Sequence, residues 1–208
     1  MSIKKTFEIS CPFCNTPQEA SYYESANVTM EPALKERVLN SNLNEQPCMH
    51  CGKAINIVTG CLYHDMEKQL MINFKTVNEP SDFENGAVAQ QMAKQGYILR
   101  NVYSTYELAE KVRIFDHNLN DKVIAEIKQE LLDEFKAITE HKAHIYFQGI
   151  EKKLFAQSII LVMFTHPEQL MTLKVPVKKM KKHQKDMLFN VDVLRKESWQ
   201  DVGTNDKD

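Results

Sequence analysis

Cys11-Pro-Phe-Cys14 and Cys48-Met-His-Cys51-Gly52 decide how this chain is read. Each pair places two residues between its thiols. Together the pairs offer four soft ligands, the number a tetrahedral zinc ion takes. Gly52 follows the second pair, where a chain turning under a metal needs the residue that turns most easily. The stretch from Asn15 to Pro47 separates the pairs, more than a compact zinc ribbon carries. The two knuckles therefore meet only if that insert folds back as a strand-and-helix excursion. Four thiolates fill the shell and leave no open position for water, so the ion expected on Cys11, Cys14, Cys48 and Cys51 is structural Zn2+, and its binding energy goes into folding. Such a site carries two excess negative charges, which knuckle N–H groups and Lys53 are placed to offset. His50 sits inside the second knuckle, but four cysteines already complete the shell. The rival chemistry, a redox dithiol, needs only one pair at the start of a helix. Two pairs, with Pro12 and Gly52 in the turns, favour zinc.

The chain around this motif is of ordinary composition. Its 208 residues are 43% hydrophobic, with a formal charge of -2. No global field calls for nucleic acid or an anionic membrane. Two lysines near Met1 have no apolar run behind them, unlike a secretory signal. The longest apolar stretch, Ile159 to Phe164, is far too short for a bilayer core of about 30 Å. A cytoplasmic setting is expected, and five cysteines with four in close pairs suit a reducing compartment. Cys61, the fifth, reads as a small buried hydrophobe in a strand.

Periodicity lays out the elements. A strand or hairpin is expected over Glu19 to Met30, and strands at Phe7 to Ile9, Ala54 to Val58, Cys61 to Tyr63 and Gln69 to Val77. In the last, Leu70, Ile72 and Phe74 share a face. Pro32 opens a helix carrying Leu34, Val38 and Leu39, and Asn40-Ser-Asn42 ends it. Ser81-Asp-Phe-Glu84 reads as a capping box for a helix that Gly96 terminates; Ser104-Thr-Tyr-Glu107 is a second box. The strongest helix runs from about Asp121 to His141. Val123, Ile124, Ile127, Leu131, Leu132, Phe135 and Ile138 form its apolar face, with Glu126, Lys128, Glu130, Asp133 and Lys136 charging the rest. Three further strands follow, over Ala143 to Gly149, Leu154 to Phe164 and Leu170 to Val177. Lys178 to Leu188 reads as a basic helix before a polar tail. The fold class is α+β: a zinc-ribbon-like sheet module with an inserted strand and helix, followed by helices and a second set of strands. A soft boundary divides 1–140 from 141–208, unless the late strands complete the earlier sheet.

The two cysteine motifs, with Val28-Thr-Met-Glu-Pro-Ala-Leu-Lys-Glu between them and Leu62-Tyr-His-Asp-Met-Glu-Lys-Gln-Leu-Met-Ile72 after them, resemble the CpXC domain family of bacteria and archaea. The similarity runs through Ile98-Leu-Arg100 and Arg113-Ile-Phe-Asp116 to about Glu134. Met49 stands where the family's second motif has proline, which loosens the knuckle but removes no ligand. The resemblance implies metal binding by the cysteines and leaves any activity open.

Other candidate sites are weaker. Tyr63-His64-Asp65 could supply a general base, but neighbours on a strand point to opposite faces, so Asp65 is expected to start a turn and His64 to pack over the ribbon. Lys178-Lys-Met-Lys-Lys-His-Gln-Lys185 could contact phosphates, although a solvated helix face is the commoner use. Met30, Met49, Met66 and Met71 are expected to fill an irregular small core. His141 and His144 stand at the expected end of the long helix, as apt to cap it as to hold a metal. No phosphate-cradling glycine loop, nucleophile elbow or zincin motif is present. These readings favour a zinc-stabilised, non-enzymatic module that binds a protein partner. A nucleic-acid-binding ribbon is second, and an enzyme using His64 and Asp65 third.

Overall fold

The computed structural model describes residues 1–76, 86–136, 143–154, 156–165, 169–176 and 200–201. Its elements in chain order begin with β1 (Ile3–Ser10), β2 (Pro17–Asn27), α1 (Ala33–Leu39), β3 (Glu45–Pro47), β4 (Ala54–Asn56), β5 (Cys61–Asp65) and β6 (Leu70–Phe74). There follow α2 (Ala87–Lys94), β7 (Ile98–Val102), α3 (Thr105–Asp116), α4 (Asp121–Lys136), β8 (Ala143–Lys153), β9 (Ala156–Thr165), β10 (Gln169–Pro176) and β11 (Gln200–Asp201). The fold is mixed α+β, with four helices among the described residues. Two compact units divide between Leu108 and Ala109, within α3; the short β11 belongs to the first.

The first unit holds a six-stranded sheet in the order β1-β2-β5-β6-β7-β11. β1 and β2 form a long antiparallel hairpin, and only the last residues of β2, Ser25 to Asn27, pair with β5. The hairpin therefore runs on beyond the rest of the sheet. Beside it lies the small antiparallel pair β3–β4. Side-chain amides join the two: Asn44 Oδ1 accepts from the Tyr23 N–H at 2.9 Å, and Gln46 Oε1 from the Ser21 N–H at 3.3 Å. The insert does fold back, and these amides satisfy N–H groups that β2 cannot offer to β1.

β6 and β7 lie deeper. Leu70, Ile72 and Phe74 are buried, as their alternation predicts, but so is Met71 on the opposite face, packed with Leu99, Leu62, Met92, Ala93 and Tyr97. A parallel β6–β7 pair needs a crossover, and crossover helices cover a second face. α2 is part of that crossover, and Gly96 ends it at φ +86°. The first capping box falls outside the described residues. The second forms in its first half, with the Glu107 N–H donating to Ser104 Oγ at 3.1 Å, while Glu107 Oε2 reaches one residue past the cap and accepts from the Tyr103 N–H at 2.7 Å.

In the second unit α4 presents Val123, Ile124 and Ile127 to Ile145, Phe147, Ile159, Leu161 and Met163 of an antiparallel sheet in the order β10-β9-β8. The late strands thus form a sheet of their own. Lys128 departs from the surface role expected of it. It is buried, and its Nζ meets both Glu110 carboxylate oxygens at 2.7 and 2.9 Å. Glu110 Oε1 also accepts the Phe147 N–H at 2.6 Å. Lys111 and Asp121 form a second buried pair at 3.0 Å. Charge on a helix flank can be buried where a neighbouring helix brings the opposite sign and hydrogen bonds complete the shell.

Candidate metal centre

Each cysteine pair occupies a hairpin loop, and the two loops are built alike. Cys11 to Thr16 connects β1 to β2, directly after the Ser10–Pro17 pair; Cys48 to Lys53 connects β3 to β4, directly after Pro47–Ala54. In the first, the Cys11 N–H donates to the Thr16 carbonyl at 3.0 Å and the Asn15 N–H to the Cys11 carbonyl at 2.8 Å. In the second, Cys48 donates to Lys53 at 2.8 Å and Gly52 to Cys48 at 2.9 Å. The leading sulfur of each loop accepts an N–H two residues on, from Phe13 and from His50, both at 3.4 Å.

The fifth loop position must turn left-handed in both. Gly52 does so at φ +72° and Asn15 at φ +58°. Gly52 is legible in the sequence. Asn15 is the turn residue that the sequence reading missed, although asparagine is among the few residues with a side chain that enter this region readily.

The loops bring four sulfurs together, all within 4.8 Å of one another. The close approaches run across the knuckles: Cys11 to Cys51 and Cys14 to Cys48, each 3.8 Å. Regular tetrahedral coordination with bonds of about 2.3 Å puts neighbouring sulfurs about 3.8 Å apart. The donor set therefore fits a single thiophilic cation. Cys11 and Cys48 are buried, Cys14 is half-buried and Cys51 exposed. The apolar support is small: Ile55 is buried with the two leading cysteines, and Ile9 and Ile57 pack against them.

Hydrogen bonds tune the thiols unequally. Thr16 draws Cys14 down to about 6, and its hydroxyl lies 3.4 Å from the sulfur. N–H groups of Cys51 and His50 lower Cys48. The Lys53 N–H favours the Cys51 thiolate, but desolvation and the neighbouring thiols outweigh it and push Cys51 up to about 11. Four thiolates this close cannot all ionise alone, and a divalent cation removes that conflict. Lys53 itself places its Nζ 5.0 Å from the centre of the Phe13 ring, which ties the second loop to the tip of the first.

A family model described as CpXC protein matches residues 9–128. The chain belongs to the CpXC family. The match contains both knuckles, the insert between them, β2 to β7, α3 and the first half of α4. No curated protein and no solved structure matches the chain.

The remaining candidates of this CpXC chain resolve differently. Asp65 starts the turn, accepting the Lys68 N–H at 3.1 Å, and its second oxygen lies 3.6 Å from Lys35 Nζ. His64 points to the other face of β5, where its Nε2 lies 3.2 Å from the Tyr97 hydroxyl. Its partner is thus Tyr97, on the α2–β7 side of the sheet. Desolvation lowers the His64 pKa. Cys61 is buried, and desolvation raises it to about 12, as befits an inert core thiol. The methionines do not fill one core together: Met71 is buried, but Met30, Met49 and Met66 are exposed, because each of the three stands in or beside a turn. His144 lies on β8 and not on the long helix. His141 and the Lys178 to Lys185 cluster fall outside the described residues. No helix among the described residues is long and apolar enough to cross a membrane.

Proposed function

We propose that Cys11, Cys14, Cys48 and Cys51 hold one structural Zn2+, and that the paired hairpin loops form a zinc-ribbon-like module whose task is to bind a protein partner. The observation that carries the reading is the four-sulfur cluster, with two cross-knuckle approaches of 3.8 Å in loops of matching build. The ion supplies charge neutralisation and cross-linking, and the chain supplies the geometry. Asn15 and Gly52 turn the loops, and the Phe13 and His50 N–H groups stabilise the leading sulfurs. Thiolate ligation suits a reducing compartment, which supports the cytoplasm as the place of action.

The partner-binding half of the reading rests on the loop tips. Phe13 is 53% exposed and Met49 87%, although the loops that carry them are fixed by backbone hydrogen bonds. A fixed loop backbone leaves less to order when a partner covers these side chains, and aromatic and methionine side chains are enriched at interface cores. An acid–base reading finds less support, since His64 and Asp65 lie on opposite faces of β5 and engage different partners.

Elemental analysis of purified protein should give one zinc per chain. Cobalt exchange should give the absorption of a tetrahedral thiolate site. Copurifying partners should be lost from a Phe13→Ser/Met49→Ser variant that keeps its zinc. A chain purified without thiophilic metal, and unable to take it up, would remove the reading.

A further inference from the structure

β1 ends the six-stranded sheet, and among the described residues no strand pairs with its outer edge. Every residue from Ile3 to Ser10 is exposed except Ile9, which is half-buried. An eight-residue open edge is a template for another strand, so what lines it decides what it accepts.

Which backbone groups face outward follows from the hairpin. The Cys11 N–H bonds back to Thr16, so that pair is hydrogen-bonded across β1–β2. Pairs alternate, so Ile9, Phe7 and Lys5 also direct their N–H and C=O groups to β2. The other side of the hairpin agrees: Ser21 and Tyr23, the partners of Thr6 and Lys4, turn their N–H groups away from β1 to Gln46 and Asn44. Lys4, Thr6 and Glu8 therefore present their main-chain groups to the open edge.

We infer that β1 pairs antiparallel with β1 of a second copy of this chain, about a two-fold axis through Thr6. Only registers that set outward-facing residues opposite one another can form hydrogen bonds. Centring on Lys5 would oppose two like charges, and centring on Phe7 would set Glu8 against Thr6. Centring on Thr6 sets Lys4 against Glu8 of the second copy, twice. The same register puts Ile3 opposite Ile9 and Lys5 opposite Phe7, so apolar meets apolar and cation meets ring. The edge complements itself at each position and would gain about six main-chain hydrogen bonds. Such a contact is isologous and closes at two copies. It pairs no residue of the cysteine loops, although Ile9, which it covers, also packs against their base.

Sedimentation of the zinc-loaded full chain over a wide concentration range tests this. A reversible monomer–dimer equilibrium is expected. Thr6→Pro removes an outward N–H without touching the β1–β2 ladder, and should abolish the dimer while leaving zinc content and melting unchanged. Lys4→Glu should weaken it at least tenfold, because the introduced carboxylate then faces Glu8 of the second copy. The Lys4→Glu/Glu8→Lys exchange should restore it. A wild-type chain monomeric at every concentration overturns the inference. So does a dimer indifferent to Thr6→Pro, or one that the charge exchange fails to rescue.

Discussion

The cysteine loops and the α4–β8–β9–β10 layer are held by different physics. The loops bury only Cys11, Cys48 and Ile55 as a cluster. Among the described residues the second unit buries ten apolar side chains together, all but Ile114 and Leu119 from α4, β8 and β9, and adds two internal ion pairs. Little apolar surface surrounds the two six-residue turns, so under the proposed zinc reading ligation supplies most of their stability. The charged pairs and the Glu110–Phe147 bond join α3 to α4 and β8.

Metal removal is the strongest way to test that difference. Structural zinc sites contribute on the order of 10 kcal/mol to folding at neutral pH. Cys14→Ser, or a chelator, should therefore unfold the loops with loss of the ion. Hydrogen exchange should rise across β1–β4 and stay low on β8 and β9. A Cys14→Ser chain with the parent's melting curve and metal content would contradict it. Acid should act in the same direction, since protons compete with the metal for sulfur.

Glu110→Ala is the converse experiment. It strands the Lys128 ammonium and the Phe147 N–H in the interior, a change that costs about 3–5 kcal/mol. The loss should register as melting of the second unit, with zinc still bound. Equal exchange in both regions would mean that they are not held separately.

Smaller effects sharpen the likeness of the two loops. Gly52→Ala has space for its methyl group but must hold φ at +72°, costing about 1–2 kcal/mol. Gly52→Asn should cost less, because Asn15 already fills the matching position. Calorimetry of the two zinc-loaded variants compares them directly. The smallest effect lies at His64. Its folded pKa is below the unfolded value, so the folded state binds fewer protons there, and stability falls as pH drops through about 6.5 and below. His64→Gln should flatten that part of the pH–stability curve. A curve unchanged by the substitution would exclude His64 as its source.

Legibility in the sequence follows locality. The cysteine spacing, Gly96 as a terminator, the Ser104–Glu107 box and the α4 stripe depend on residues within a turn or two of one another, so their pattern is written consecutively. Alternation marks Leu70, Ile72 and Phe74 as one buried face of β6, but it does not show that Met71 is covered on the other, because that cover comes from α2, a distant element. Lys128 reads as a surface charge for the same reason: its ion partner, Glu110, lies on another helix. Met30, Met49 and Met66 show the limit of composition, since a thioether beside a turn is left exposed whatever its hydrophobicity.

The sequence by itself determined the two cysteine pairs, the family and the α+β class, because thiol spacing and hydrophobic period are local quantities. Only the tertiary structure decided that sulfurs approach across the knuckles, that Asn15 mirrors Gly52, and that among the described residues no strand pairs with the outer edge of β1. Those facts arise where chain segments far apart in sequence are forced to share hydrogen bonds and space, and no local pattern records which segments those will be.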